Sequence, residues 1–246
     1  MKKILSALTV SAFIMMAATS CKKSQDVMPL TASDASNSVL AINDSATLTT
    51  GECALLHGLI AQQNINYNNY DCLAPTSWTY GGIQAPTRSL FKFAFTGLNP
   101  ACNPATLVSA KLYLHQYVNA SNGAPYSIAH VPNDVEIRRV KTPWVASTVT
   151  FNTTPATYGG LPAPSSKAVA IPAIATPFTG LQDNPVVDVT EMVKKMLAGG
   201  APYTLNYGFM IRFPDGRETQ VYKARWYGSF TAPNIADRPV LKLYWQ

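Results

Sequence analysis

The chain has 246 residues, of which 47% are apolar and only 13% charged, with a formal net charge of +6. A chain this apolar and this poor in charge is not wholly disordered. The absence of Glu/Lys-rich heptads excludes a coiled coil. A polytopic membrane protein is excluded too, because the one long apolar run lies at the N-terminus. Lys and Arg are scattered rather than clustered, so the positive balance is not a nucleic-acid footprint.

The first element is an export signal. Met1-Lys2-Lys3 is a basic start, and Ile4 to Ala18 is apolar apart from Ser6, Thr9 and Ser11. A bilayer span needs about 20 residues, so this run fits the shorter apolar core of a secretory signal. It closes on Ala18-Thr19-Ser20-Cys21. Small residues before a Cys resemble a bacterial lipobox, with Cys21 acylated as the new N-terminus and residues 1–20 removed. Several acyl chains at about 0.8 kcal/mol per buried methylene make such an anchor stable. Residues 21–50 then read as a tether. Lys22 to Asp26 is polar, and Thr31 to Ser38 has no apolar period with which to offset ordering entropy. A flexible segment of that length reaches roughly 30 Å.

Residues 51–246 are expected to form one domain whose dominant period is two. Phe91, Phe93 and Phe95 share one face, with Leu90, Lys92 and Ala94 opposite. In Ala110 to Gln116, Leu112 and Leu114 point inward and Lys111, Tyr113 and His115 outward. Further strands are predicted at 135–138, 149–151, 208–213, 221–226 and 240–245. Between them stand Pro and Gly, which break ladders and make turns. Over Asp188 to Gly200 the period changes: Met192, Val193, Met196 and Leu197 are helically spaced, with Thr190 able to cap the start and Gly199-Gly200 the end. Many short strands and one short helix predict an all-β, antiparallel β-sandwich or jelly roll.

Beyond Cys21 there are three cysteines, Cys53, Cys72 and Cys102. In an oxidising compartment they allow three single pairings, of which Cys72 with Cys102 is the expectation. Their spacings fit no zinc site, and Asp71, Asp134, Asp183, Asp188 and Asp215 stand apart in sequence, so no metal ligand and no cofactor is assigned. The three histidines, His57, His115 and His130, accompany no Gly-x-Ser-x-Gly elbow. His57 lies in an apolar strand and reads as a core or edge residue. No catalytic residue is assigned, and the chain is not expected to be an enzyme.

Four patches, taken in order, resemble the DNRLRE domain family, β-sandwiches of extracellular proteins. They are Arg88-Ser89-Leu90-Phe91-Lys92-Phe93 with Ser109-Ala110-Lys111-Leu112-Tyr113-Leu114; Val135 to Val140 with Pro143-Trp144 and Ser147 to Asn152; Val187 to Thr190 with the helix and Asn206-Tyr207-Gly208-Phe209; and Arg238-Pro239-Val240-Leu241. The first pair is similar to that family's "R-x-L-L-x-F-D … S-A-x-L-x-L" strands, with Ala94 at the final Asp. The resemblance implies a carbohydrate-binding role. With an acylated Cys21 and a tether, the whole resembles a Bacteroidetes-type surface lipoprotein that captures glycans outside the outer membrane.

Glycan binding needs flat aromatic faces for sugar rings, and Lys or Arg where the polymer is anionic. The candidate ligand-binding residues are Lys111, Tyr113 and His115 on one strand, Lys223 and Arg225 on a second, and Lys242 and Tyr244 on a third. If the three strands join one sheet, these side chains form a basic–aromatic surface for polysaccharide, anionic chains included. Trp144, Trp226 and Trp245 read as core. The competing functions are a structural or adhesion module with surface-protein partners, and a jelly-roll polysaccharide lyase. The lyase is disfavoured by the absence of paired Gln-x-His and Arg-x-Glu-x-Arg strands.

Overall fold

The computed structural model describes residues 44–99, 102–117, 133–152, 168–172, 183–218 and 223–246. The signal segment 1–20, Cys21, His130 and the tether before residue 44 lie outside the described residues, as do Val221 and Tyr222.

In chain order the fold opens with β1 (Asp44–Leu48) and β2 (Gly51–His57). Five two-residue strands follow: β3 (Tyr67–Asn68), β4 (Cys72–Leu73), β5 (Thr76–Ser77), β6 (Thr79–Tyr80) and β7 (Ile83–Gln84). Then come β8 (Thr87–Phe93), β9 (Leu107–Tyr113), β10 (Val135–Arg139), β11 (Val169–Ile171), β12 (Val186–Asp188) and the helix α1 (Thr190–Leu197). The chain ends with β13 (Phe209–Arg212), β14 (Lys223–Ala224), β15 (Tyr227–Gly228) and β16 (Val240–Trp245). One four-stranded sheet has the order β1-β16-β9-β12. An eight-stranded sheet has the order β11-β10-β13-β8-β2-β3, with β5 joined to β8 and β14 to β5. Every pairing is antiparallel, and the architecture is an all-β sandwich.

The alternation of the sequence sets the layers. Phe91, Phe93, Phe209 and Ile211 of the larger sheet meet Leu112, Leu241, Leu243 and Trp245 of the smaller one in the main core. Phe91 and Phe209 are register partners with ring centroids 5.4 Å apart. The larger sheet is covered on its outer face as well. There Ala54, Leu56, Leu90 and Met210 pack beneath Val140, Trp144, Ala146 and Val149. The segment 149–151, predicted as a strand, belongs to this cover and is not a strand. Burial on both faces is why β13 and the middle of β2 and β8 read as apolar runs.

The helix buries Met192, Val193, Met196 and Leu197. Thr190 does not cap it. Its hydroxyl accepts from the Ala110 N–H at 2.9 Å, docking the helix on β9, while Asp188 Oδ1 accepts from the Thr190 N–H at 3.0 Å.

Two further expectations are corrected. The sheet begins at Asp44, not near residue 51, because β1 pairs with β16 along its whole length and places Ala46 and Leu48 against the main core. The pairing of Cys72 with Cys102 is not made: all three thiols are buried, Cys102 in the main core and Cys72 in a separate cluster with Leu55 and Ala74. Burial raises the pKa of Cys53 and of Cys72, which makes both poor nucleophiles.

Gly208 enters β13 at φ +72°, and a Cβ there would collide with the Phe91 carbonyl and lie 2.7 Å from the Lys92 Cα. Gly216 has a similar φ of +79° but open space around it. Gly216→Ala should therefore cost about 1 kcal/mol, the left-handed penalty alone. Gly208→Ala should cost ~3 kcal/mol or more, because backbone must also move. Urea denaturation midpoints of the two variants measure the difference; equal shifts would contradict the packing described.

Candidate functional site

Four of the predicted residues do converge. Lys111 and Tyr113 on β9 and Lys242 and Tyr244 on β16 lie on the outer face of the four-stranded sheet, alternating with the inward Leu112, Leu241 and Leu243. Lys242 is the register partner of Lys111. Lys111 Nζ donates to Asp188 Oδ2 at 2.7 Å, and Lys242 Nζ lies 4.8 Å from the centroid of the Tyr113 ring. Burial pushes the Asp188 carboxyl up, but hydrogen bonds from Lys111 and Thr190 outweigh it and bring the pKa down to about 2. His115 follows just beyond β9, its Nδ1 2.9 Å from the Arg238 carbonyl. The face is basic and aromatic, and its cations already have partners.

The third predicted strand does not join them. β14 pairs with β5 in the larger sheet, so Lys223 and Arg225 belong elsewhere; the side chain of Lys223 lies outside the described residues. Arg225 is 1% exposed and cannot meet a polymer. Its Nε and NH2 donate to the two oxygens of Asp183 at 2.7 and 2.6 Å, and NH1 donates to the Pro172 carbonyl at 2.7 Å. Arg225 is thus a structural pin. A buried guanidinium needs a carboxylate and several acceptors, and Asp183 and the carbonyls supply them.

A second surface is a cleft of about 560 Å³ at one end of the larger sheet, within the ordinary range for small-ligand sites. Along β2 and β8, Cys53 and Phe91 lie in the main core, and the next pairs on that face are Leu55 with Ser89 and His57 with Thr87. The inner face therefore runs on past the core and reaches the cleft at Leu55, His57 and Thr87. The excursion 58–86 between these strands supplies the other wall, including Leu59, Gln62, Tyr70, Trp78 and Tyr80; Trp226 closes it beside β14. The neck is held by the Gly58 N–H donating to the Pro86 carbonyl at 2.7 Å. Tyr80 pairs with Ile83 across a two-residue turn in which Gly81 and Gly82 both have positive φ, as a tight hairpin requires. That turn carries Tyr80 outward, and it is 73% exposed.

His57 lines the cleft. Burial lowers its pKa, and its Nδ1 accepts from the Leu59 N–H at 3.2 Å. Trp226, expected in the core, is only partly buried and shows one side to the cleft. Trp144 and Trp245 are buried as expected. The sequence reasoning missed the cleft residues; the run Trp78-Thr79-Tyr80-Gly81-Gly82, two aromatics two apart before a turn signal, was the trace they left. Among the described residues, no group of three or more His, Cys, Asp or Glu converges.

No protein-family model matches the sequence, and no curated protein matches it.

The two ion pairs should behave differently. Asp183→Ala leaves Arg225 buried without its carboxylate and should cost about 3–5 kcal/mol in denaturant unfolding. Lys111→Ala breaks a half-exposed pair and should cost under ~1 kcal/mol at neutral pH. Because the Asp188 pKa is depressed in the folded state, the stabilisation by Lys111 is present above about pH 4 and is lost as the pH falls toward 2. The difference between Lys111→Ala and the parent chain should vanish over that window.

Proposed function

We propose that this chain is a non-catalytic polysaccharide-binding protein, held outside the cell outer membrane by an acylated Cys21. The observation that carries this reading is the half-open cleft, whose walls include Tyr70, Trp78, Tyr80 and Trp226. Sugar rings present patches of C–H groups, and aromatic faces are the side chains that cover them while leaving the hydroxyls to polar groups and water. Among the described residues that line this cleft there is no Asp or Glu, and so no pair of carboxylates of the kind that activates water across a glycosidic bond.

Three further features support the reading. The basic N-terminus, the apolar run and Cys21 have the anatomy of a lipoprotein signal. The order of patches resembles the DNRLRE family, which implies a carbohydrate-binding module. The outer face with Lys111, Tyr113, Lys242 and Tyr244 offers a second, flatter surface on the other sheet. Shallow contacts of this kind bind weakly one at a time, and many anchored copies on one cell raise retention of a long polymer.

An adhesion module is the competing reading. It is favoured by Ile60 and Ile83, which are exposed on the excursion that walls the cleft. Pull-down on insoluble polysaccharides separates the two. The full-length chain should be retained by at least one polymer and released by its soluble fragments. Retention by none, with a protein partner recovered by cross-linking, would favour adhesion. Metabolic labelling with palmitate should mark the parent chain and not Cys21→Ser, which should leave the membrane fraction.

A further inference from the structure

The cleft also carries information about the charge of its ligand. Among the described residues, its lining contains no Lys, Arg, Asp or Glu. His57, the one titratable base among the described lining residues, is held toward its neutral form by burial, and because Nδ1 accepts a hydrogen bond the proton of the neutral ring sits on Nε2. The hydroxyls of Thr76 and Thr87 are 2.8 Å apart, and that of Thr87 donates to the Ala74 carbonyl, so both are engaged within the protein. The Trp226 indole N–H is buried without a partner, so what this side chain offers to the cleft is ring carbon. Among the described lining residues, the polar side-chain groups left for a ligand are the His57 Nε2–H, the Gln62 amide and the tyrosine hydroxyls.

This wall suits an uncharged molecule. A carboxylate or sulfate entering it would give up hydration without meeting a cation. The nearby arginines do not remedy this: Arg88 makes two hydrogen bonds to Glu218 and Arg225 two to Asp183. The lysines of the outer face belong to the other sheet.

We propose that the cleft takes a neutral sugar ring of a polysaccharide, with its C–H face against Trp78, Tyr80 and Trp226 and its hydroxyls toward His57 Nε2–H and Gln62. This rests on the reading of the protein as a polysaccharide binder and narrows it to uncharged polymers at this site.

The test uses the full-length chain against neutral probes (xylan, mannan, mixed-linkage β-glucan) and acidic ones (alginate, polygalacturonate), read by retention and by tryptophan emission. At least one neutral polymer should bind. Its affinity should change by no more than about twofold between about 0.05 M and about 0.5 M salt, because no ion pair is screened. Tyr80→Ala and Trp78→Ala should each weaken it ~10-fold, the loss of an aromatic anchor; Tyr80 is exposed enough for its removal to leave folding intact. The double variant Lys111→Ala with Lys242→Ala should bind as the parent does. If instead an acidic polymer binds, weakens with salt and is lost in the lysine variant but not in Tyr80→Ala, polysaccharide binding stands and the neutral cleft is overturned. If no polymer of either class binds, the functional reading falls and this inference falls with it.

Discussion

The structure depends on a mismatch between its two sheets. Antiparallel strands alternate their side chains, so each sheet has an inner face that must be covered. Eight strands form one layer and four the other. The smaller sheet covers Phe91, Phe93, Phe209 and Ile211 in the main core, but the same face of β2 and β8 continues to Leu55 and His57. The chain covers that overhang with the excursion 58–86 and with β14 and β15, which together bury Leu55, Cys72, Ala74, Tyr117 and Ala232 in a third cluster. The cover does not fully close, and the gap is the cleft. Its aromatic character follows from the problem it solves, since Tyr70, Trp78, Tyr80 and Trp226 are large side chains shielding the end of an apolar layer.

Charge is sparse in this chain, and much of it is used internally. Arg212, 1% exposed, lies 3.3 Å from Glu136 and is joined to Asp215, while Arg138 reaches Glu136 at 2.6 Å. Arg217 is joined to Asp134, and Arg88 to Glu218 through two hydrogen bonds. These pairs tie loop 214–218 to the outer face of β8, β10 and β13. Replacing such a pair by apolar groups is often neutral, whereas removing one partner is costly, so the pairs fix the arrangement more than they add net stability. Arg88 and Arg225, the arginines nearest the cleft strands, are held on Glu218 and Asp183, and no charged residue is among the described residues that line the cleft.

What was legible in the sequence was what alternates locally. Phe91, Phe93 and Phe95 announce a buried face through their spacing alone, and the helical spacing of Met192, Val193, Met196 and Leu197 does the same for α1. Arg225 could not be read that way. In Val221 to Trp226 it alternates like an outward residue, and only Asp183, 42 positions earlier, shows that it is buried. The same limit applies to β1, whose Asp44-Ser45-Ala46-Thr47-Leu48 looks like linker until the end of the chain supplies β16 as a partner. The two-residue strands of the excursion are too short to carry any period. The places of β3, β4 and β5 are set by pairing with β2, β15, β8 and β14, whereas β6 and β7 pair with each other across the Gly81-Gly82 turn.

The outer face of the smaller sheet shows why convergence of the right residue types does not by itself make a binding site. Lys111 and Lys242 are cross-strand partners, a like-charge pair that opposes sheet formation. The fold answers with Asp188, the register partner of Lys111 on β12, and with the π-face of Tyr113 beneath Lys242. A polyanion approaching this face must compete with both partners, and both hold because they are set by strand register. The cleft wall has the opposite organisation. Tyr80 stands on a two-strand hairpin built on a Gly-Gly turn, with Trp78 just before it, and the turn carries the Tyr80 ring outward. Of the two surfaces, the cleft is the one that presents an aromatic ring, that of Tyr80, placed by backbone geometry and exposed to solvent.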